Sequence, residues 1–486
     1  MSRAAGTGTS SVRWQGMRAG PRVTTRPSTE GEPVPSHRPA RWRTAAVALT
    51  LVVGLPACAA THPQRPPTPV EQTPERLREG SRSPTPQGPQ PAWSMSLRRI
   101  DQEVGETGQL IVVPDGRELR AVDRRTGQER WRHPFDGSFR YVIAGGSIVV
   151  SDNDDGGVEV LDAVTGTTRW QAARSQDVVV HGQAVYARDC VGVGVAATCV
   201  IIGRELDSGR QLWKLPSDRF ARVSDVTLGA RPPYAPAAGR YVVVRLSTSA
   251  RAATYTPVVP TTGRTGAGRL PNRAWFGFAA DDLLVSTDHD PPKGDQRCTV
   301  SIASVDADTG AKGWSGAVYS GRRENGECAK RLANDLSGME LIGVGTRLVA
   351  VTADERPQLV DLRTGRTVWR GVAAGVPIDG DDRSVLVRDT ADTGALALLD
   401  LATGVARWTA PDPVLPGTSA SWRSAVTAGL VAVSGAEDER PMVLVYEVDT
   451  GRQLGRFPGW LAGAGTDWVA VSHAGTGGLA VDLHTF

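Results

Sequence analysis

The chain has 486 residues, of which 40% are hydrophobic and 22% are charged, so neither a disordered chain nor a polytopic membrane protein is expected. The formal net charge is +3, but residues 1–57 carry eight Arg and two Glu, so the remainder is slightly acidic. A slightly acidic body lacks the basic face that general nucleic-acid binding needs, and we expect no nucleic-acid partner.

The first predicted element is an export signal. Residues 44–55 are apolar and uncharged and follow three closely spaced arginines, which is the order of a secretory signal. The apolar run ends at Cys58 in the sequence Leu-Pro-Ala-Cys, which resembles a lipobox. We therefore predict that residues 1–57 are a signal sequence and that Cys58 is the lipid attachment site.

The alternative to a cleaved signal is an uncleaved membrane anchor, because the uncharged stretch 44–60 is at the lower length limit for spanning a bilayer, about 17 residues. Either interpretation predicts an extracytoplasmic domain held at the cell membrane.

A proline-rich linker follows the signal. Residues 59–92 contain nine prolines and show no apolar periodicity. Such segments favour extended polyproline conformations. We predict that residues 58–92 are a spacer between the membrane and a domain formed by residues 93–486.

One sequence motif, called the phrase here, recurs through this domain. It consists of an acidic residue, two variable residues, Thr or Ser followed by Gly, and a Trp four residues after the Gly. A variant contains Gly209 and Trp213, another runs from Glu447 to Gly455 without a Trp, and a degenerate copy lies around Gly263. The five complete copies contain Asp123, Gly127 and Trp131; Asp162, Gly166 and Trp170; Asp306, Gly310 and Trp314; Asp361, Gly365 and Trp369; and Asp400, Gly404 and Trp408.

The phrase predicts a tight turn between two strands. The Asp side chain can accept backbone N–H bonds, the Gly supplies a positive φ, and the Trp can cover the gap between neighbouring sheets. A second hairpin lies upstream of each phrase, so each repeat supplies four strands, named A to D. The motif glycines are 39 to 55 residues apart. Four antiparallel strands in repeats of this length predict a single all-β propeller. We expect eight four-stranded blades; counting the degenerate copy as a blade of its own gives nine.

The two ends of the domain predict how the ring closes. The C-terminal residues 460–486 offer A, B and C strands but no fourth strand, and residues 91–97 resemble a single Trp-bearing D strand. Pairing them would remove the free edges of the ring.

The phrase resembles the Asp-x-x-Thr-Gly-x-x-x-Trp motif of the pyrroloquinoline-quinone-like (PQQ-like) propeller repeat family, over roughly residues 93–486. Within that family, an exported lipoprotein with one propeller is similar to the BamB-like propeller lipoproteins. The resemblance implies a non-catalytic scaffold that needs no cofactor, with an envelope protein or polymer as its partner. The long proline spacer departs from that pattern.

Four cysteines lie in the propeller, and four cysteines allow three pairings. The predicted strand order favours two disulfides on one rim, Cys190–Cys199 across a hairpin and Cys298–Cys328 at a shared sheet edge. Export favours oxidation, although four free thiols remain the alternative.

The predicted B–C turns carry acidic residues, so one face of the propeller could be acidic. Such turns also favour Asp for local hydrogen bonding, which needs no partner. The alternative is a docking rim for a basic partner, with Asp354, Glu355, Glu437, Asp438 and Glu439 as candidate contacts. The other acids in these turns are Asp115, Asp152, Asp154, Asp155, Asp288, Asp290, Asp389 and Asp392.

No G-x-S-x-G, H-E-x-x-H, Walker or C-x-x-C-H motif is present, so we predict no catalytic or metal-binding residues. The leading hypothesis is a monomeric, non-enzymatic propeller that binds a partner. The alternatives are a sensor that binds a small ligand in the central channel and a quinone-dependent dehydrogenase.

Overall fold

The computed structural model describes most of the propeller domain. It covers residues 88–152, 156–192, 197–224, 239–247, 253–270, 276–290, 297–322, 342–352, 354–389, 395–411, 424–437, 440–475 and 478–486. These residues form one all-β propeller of nine blades. The predicted lipid attachment site Cys58 and most of the linker lie outside them. No helix in this part of the chain is long and apolar enough to cross a membrane.

The first four blades follow one another along the chain. Blade 1 contains β2 (Gly105–Thr107), β3 (Leu110–Asp115), β4 (Glu118–Asp123) and β5 (Glu129–Pro134). Blade 2 contains β6 (Phe139–Ala144), β7 (Ser147–Asp152), β8 (Gly157–Asp162) and β9 (Thr168–Ala173). Blade 3 contains β10 (Ser175–His181), β11 (Ala184–Val191), β12 (Thr198–Glu205) and β13 (Gln211–Ser217). Blade 4 contains β14 (Arg222–Val223), β15 (Val242–Ser247) and β16 (Ala253–Val258).

The other five blades include the one that closes the ring. Blade 5 contains β17 (Phe276–Ala280), β18 (Leu283–Asp290), β19 (Arg297–Asp306) and β20 (Lys312–Arg322). Blade 6 contains β21 (Gly343–Val344), β22 (Arg347–Val351), β23 (Pro357–Asp361) and β24 (Thr367–Arg370). Blade 7 contains β25 (Val376–Gly380), β26 (Ser384–Arg388), β27 (Ala395–Asp400) and β28 (Ala406–Pro411). Blade 8 contains β29 (Ser424–Val426), β30 (Leu430–Glu437), β31 (Arg440–Glu447) and β32 (Gln453–Pro458). Blade 9 combines β33 (Trp460–Ala464), β34 (Trp468–Gly475) and β35 (Gly478–Thr485) with β1 (Trp93–Leu97).

The expectation of eight blades was wrong, because the degenerate copy around Gly263 forms blade 4. Val259 stands where other copies have Asp, and Ala267 stands where they have Trp. The turn survives because its backbone bond does not need the Asp side chain: Gly263 N–H donates to Val259 O at 2.9 Å, and Gly263 has φ +71°. Beyond the turn, the described residues pair with β16 only through an isolated bridge between Val258 and Thr265. Blade 4 therefore has three strands.

The repeated phrase forms the turn between the C and D strands. In blade 2, Asp162 Oδ1 accepts the backbone N–H of Thr165 at 2.9 Å, and Gly166 N–H donates to Asp162 O at 2.8 Å. Gly166 has φ +70°, a left-handed conformation that costs glycine little. The edge that carries these turns and the A–B turns is called the C–D face here. The opposite edge, with the B–C turns and D–A connections, is called the B–C face.

Each motif Trp joins its blade to the next one. Trp131 of blade 1 is 8% exposed, and its indole Nε1 donates to Ala163 O of blade 2 at 3.1 Å. A Cβ added at Gly166 would lie 2.5 Å from Cδ2 of Trp131, so the indole lies against the bare glycine. The same contact recurs between Trp170 and Gly209, Trp213 and Gly263, Trp314 and Gly365, Trp369 and Gly404, and Trp408 and Gly451. The Trp of one copy of the phrase thus packs against the Gly of the next copy, and this contact joins neighbouring blades.

The ring closes by the predicted pairing of the two ends. Strand β1 pairs antiparallel with β35, and Trp93 lies opposite Leu483. Trp93 Nε1 donates to Arg124 O at 2.9 Å, and a Cβ at Gly127 would lie 2.6 Å from the Trp93 ring. Trp93 therefore repeats, across the closure, the contact that other Trp residues make between consecutive blades.

The closure also explains why the last copy of the phrase has lost its Trp. Gly455 occupies that position, and a Cβ added at Gly88 would lie 3.0 Å from Gly455 Cα. The incoming chain thus lies where an indole would otherwise pack. Beside it, Phe457 stacks on His484 with ring centroids 3.8 Å apart, and Nδ1 of His484 lies 3.0 Å from Pro89 O. The missing Trp leaves room for the N-terminal segment.

The C–D turns predict a loss of stability in acid. Hydrogen bonds from Arg169 and Thr165 lower the pKa of Asp162 to about 2, from an ordinary value of 3.8. A carboxyl whose pKa is depressed by folding contributes stability above its unfolded pKa and loses that stability as pH falls through the folded pKa. We expect an Asp162→Asn variant to be less stable than the wild type at pH 7, with the difference shrinking between about pH 5 and pH 2. Urea unfolding across that range measures the difference, with Asp449→Asn, an exposed residue of the same face, as the control. A difference that stays constant with pH would contradict this role.

Candidate functional site

The B–C face is stiffened by a disulfide. Cys190 and Cys199 lie directly opposite each other in β11 and β12 and are joined by an S–S bond of 2.06 Å. This is the pairing expected from the strand order. Cys298 lies at the start of β19, but Cys328 lies outside the described residues. The Cys298–Cys328 disulfide stays a prediction, which non-reducing peptide mapping can test.

Asp115 is an exception to the predicted acidic rim. It is fully buried, its Oδ1 accepts the backbone N–H groups of Arg98 and Arg99, and its Oδ2 lies 2.5 Å from Arg120 Nη2. Its carboxylate orders the connection that follows β1. Asp115 therefore does not belong to an exposed docking surface.

Asp354 and Glu355 do lie at a turn of the B–C face. The Asp354 side chain is 57% exposed, accepts a hydrogen bond from the Thr352 hydroxyl and pairs with Arg356 Nε at 2.9 Å. The Thr352 bond is the main reason why the pKa of Asp354 is lowered. Glu355 has φ +60° and is half-buried. Asp354 thus orders its own turn and still presents a charged edge to solvent.

The remaining candidate rim residues are placed only in part. Glu437 ends β30, so its backbone reaches the B–C face, whereas Asp438 and Glu439 lie outside the described residues. Asp154, Asp155 and Asp392 lie outside them as well, and Asp288 and Asp290 are described only as backbone of β18. Asp389 follows β26 and is half-buried.

A cavity opens at the same face, beside the inner strands of blades 2, 3 and 4. Its volume is about 420 Å³. Its polar lining includes Arg140, Asp152, Gln176, Asp177, Arg188 and Arg222. These residues come from five strands, β6, β7, β10, β11 and β14, each near its end at the B–C face. The cavity therefore lies at the B–C face, among the strand ends of blades 2, 3 and 4.

Arg188 and Asp177, which both line the cavity, form an ion pair with each other. Arg188 Nη2 lies 2.9 Å from Asp177 Oδ2 and donates to Gln176 Oε1 at 2.7 Å. Arg188 Nη1 also donates to Arg219 O. The Arg188 side chain is only 12% exposed. This guanidinium is held in place by neighbours from both blade 3 and the connection to blade 4.

The backbone beside the cavity is strained. Arg174 and Asp177 have φ values of +68° and +51°, which non-glycine residues adopt infrequently. The register of β10 against β11 shifts between Gln176 and Val179. Such bulges re-aim side chains and are frequent at functional sites. Gln176 lies opposite Arg188 in the register, and Asp177 lies within the bulge, where its carboxylate reaches Arg188 in the cavity wall.

Arg140 and Arg222 differ from Arg188, because neither has an ion-pair partner among the described residues. Both are exposed at the cavity. Arg219, on the connection between β13 and β14, also has no ion-pair partner among the described residues. Its guanidinium lies 4.6 Å from the centre of the exposed Phe220 ring. Around blades 2 to 4 the described B–C face is therefore rich in arginine, in contrast to the acidic turn at Asp354.

The cavity was not predicted from the sequence. Its residues are separated by up to 83 positions and form no motif, so only the propeller topology brings them together. The strongest sequence signal is an Arg at or near the start of two inner strands, which is weak in a chain so rich in arginine. The described residues contain no group of three or more His, Cys, Asp or Glu side chains that could hold a metal ion.

The family comparison matches most of the propeller. The family model described as outer membrane protein assembly factor BamB matches residues 86–277 and 298–464. The chain belongs to this family. The match includes the cavity, the Cys190–Cys199 disulfide and all of the complete repeat phrases. No curated protein matches the chain significantly.

Solved structures resemble the chain only distantly. BamB from Moraxella catarrhalis is 15% identical, with 83% of this chain and 100% of that chain covered and a TM-score of 0.35. The dihydro-heme d1 dehydrogenase NirN in complex with DHE is 13% identical, with 77% of each chain covered and a TM-score of 0.40. A europium-containing methanol dehydrogenase is 14% identical, with 79% and 85% covered and a TM-score of 0.36. BamB and dehydrogenases thus both occur among the similar structures, and the likeness does not indicate an activity for this chain.

Proposed function

We propose that the protein is a non-catalytic binding module of the cell envelope, tethered to the membrane through its N-terminal segment. The partner that we propose, an envelope protein or polymer, docks on the B–C face. The family description, an outer membrane protein assembly factor, supports a protein as the first candidate.

The choice of the B–C face as the docking surface is based on the point where the chain enters the propeller. Strand β1 runs antiparallel to β35 and begins opposite Leu483, near the end of β35 that belongs to the C–D face. Pro89 and Gly88 lie beside His484 and Gly455 at that same edge. Because the chain enters the propeller at the C–D face, we infer that the partner docks on the opposite B–C face.

The B–C face also has the properties of a docking surface. The Cys190–Cys199 bond stiffens one of its turns, so that turn loses less conformational entropy on association. The acidic turn at Asp354 and the exposed Arg140 and Arg222 of blades 2 and 4 offer charged side chains of opposite sign. Electrostatic complementarity of this kind speeds association and selects partners, and it weakens as salt screens it over about 8–10 Å.

Crosslinking in intact cells tests the choice of face. We expect a double variant, Asp354→Lys with Glu355→Lys, to lose most of the crosslinked partner, because it reverses the charge of the exposed acidic turn. The matched control is Asp382→Lys with Asp449→Lys, which changes the net charge equally at exposed residues of the C–D face. In a separate affinity capture without crosslinker, washing at increasing salt should release the wild-type partner progressively.

Equal capture by both double variants would place the contact elsewhere and overturn the proposed acidic rim. A soluble protein after Cys58→Ser, with the partner still captured, would show that the tether is separate from the contact. If the purified chain oxidised alcohols or sugars when given quinone and Ca²⁺, it would be a quinone-dependent dehydrogenase and the non-catalytic proposal would be wrong.

A further inference from the structure

We propose that the cavity between blades 2, 3 and 4 binds a small ligand through a single carboxylate group, held by Arg140 and Arg222. This binding site is separate from the acidic turn and does not depend on the identity of the docked partner. The ligand can be a free carboxylic acid or the C-terminal carboxylate of a peptide, which present the same group.

The size and position of the cavity suit a small molecule. A volume of about 420 Å³ lies within the usual range for ligand sites, about 300–1,000 Å³. The cavity opens at the B–C face, where strand ends bring side chains from three separate blades together. Val178, Val179 and Val223 supply an apolar part of the wall. A ligand with a short aliphatic group beside its carboxylate would cover these valines.

The charges select a carboxylate. Asp177 neutralises Arg188 at 2.9 Å, whereas Arg140 and Arg222 have no ion-pair partner in the described part of the chain. A guanidinium presents a planar pair of N–H donors that matches a carboxylate. Asp152 and Asp177 also line the cavity, so a doubly charged anion would meet more repulsion than a singly charged one. We therefore expect monocarboxylates to bind in preference to inorganic phosphate.

The backbone supports a built site rather than a chance gap. Asp177 adopts its left-handed conformation inside a bulge, where its carboxylate meets Arg188. Strain of this kind persists only where the surrounding structure holds it, and it concentrates at ligand sites and active sites. The Asp177–Arg188 pair and Gln176 form a fixed wall against which Arg140 and Arg222 can hold a ligand.

The experiment is a binding titration of the purified full chain with four probes. Isovalerate and N-acetylvaline provide a free carboxylate with an aliphatic group, and a tripeptide that ends in valine provides a C-terminal carboxylate. Inorganic phosphate, used in a buffer above its second pKa, provides a dianion. Calorimetry and the ligand-induced rise in melting temperature both report binding. We expect at least one carboxylate probe to bind at least ten times more tightly than phosphate. Free acid and peptide are distinguished by which of them binds more tightly.

Two variants test the residues. Arg140→Gln with Arg222→Gln should reduce carboxylate affinity at least tenfold, whereas Arg117→Gln with Arg370→Gln, exposed residues that do not line the cavity, should not change it. Asp177→Asn should increase the affinity several-fold, because Asn tolerates the left-handed backbone and no longer neutralises Arg188. A purely structural role for Asp177 would not produce that increase.

Melting curves without probe show whether each variant is folded before its affinity is compared. The proposal is overturned if no carboxylate probe binds, or if phosphate binds as tightly as the carboxylates. It is also overturned if the folded Arg140→Gln, Arg222→Gln variant binds like the wild type, or if Asp177→Asn weakens binding.

Discussion

Deleting residues 92–97 should open the propeller and lower its melting temperature by roughly 5 °C or more. The deletion removes β1, with the buried side chains of Trp93 and Leu97, and leaves the outer edge of β35 without a partner. Burial of a large side chain such as Trp93 is by itself associated with about 3–5 kcal/mol in truncation experiments. Thermal unfolding monitored by circular dichroism measures the effect.

A second consequence of the deletion is a tendency to associate. An unpaired strand edge is a template for another chain, so we expect dimers or aggregates in light scattering at concentrations where the wild type is monodisperse. The matched control removes residues 64–69 of the proline-rich linker, which is the same number of residues. Equal melting curves for the two deletions would contradict the role of β1 in closure.

The sequence predicted the closure well because both partners are incomplete in complementary ways. The C-terminal repeat stops after three strands, and the strand at Trp93 stands alone with the Trp of a D strand. The Cys190–Cys199 disulfide was predictable for a similar reason, since antiparallel pairing across a short hairpin places the two residues opposite each other. Both predictions needed only the order of the four strands within a blade.

The predicted number of blades was wrong because, in blade 4, backbone atoms make the contacts that Asp and Trp side chains make in other blades. In blade 4, Gly268 N–H donates to Ala307 O at 3.0 Å, the carbonyl position that accepts an indole N–H in other blades. The backbone of Ala267 and Gly268 lies against Gly310 in place of a Trp ring. A pattern of residue types cannot show such a substitution, so a blade without Asp and Trp was easily discounted.

The cavity was missed for a different reason. Arg140, Asp177 and Arg222 lie on separate blades, and their proximity depends on how far each inner strand extends toward the B–C face. The bulge in β10 that brings the Asp177 carboxylate to Arg188 leaves no sequence signature, because it contains no Gly. Sites assembled from several strand ends need the register of every strand.

The contact between Gly and Trp that joins the blades predicts a large effect from the smallest substitution. Gly166→Ala adds one methyl group to a residue with φ +70°, and that methyl would lie 2.5 Å from Trp131. We expect a loss of about 2–4 kcal/mol, from left-handed strain and from displacement of a packed indole. The indole cannot move freely, because it is 8% exposed and donates to Ala163 O. Urea unfolding measures the loss.

Gly145→Ala separates the two causes. Gly145 lies in the A–B turn of the same blade with φ +58°, and a Cβ added there meets nothing within 4 Å. Its substitution carries the strain without the clash, so it should cost about 1 kcal/mol. The difference between the two variants reports the clash with Trp131. In a Trp131→Ala background that clash is gone, so Gly166→Ala should then cost no more than Gly145→Ala does in the same background. If the losses of stability from Gly166→Ala and Trp131→Ala were additive, the two residues would not be energetically coupled. The packing of Trp131 on Gly166 would then not contribute to the stability of the propeller.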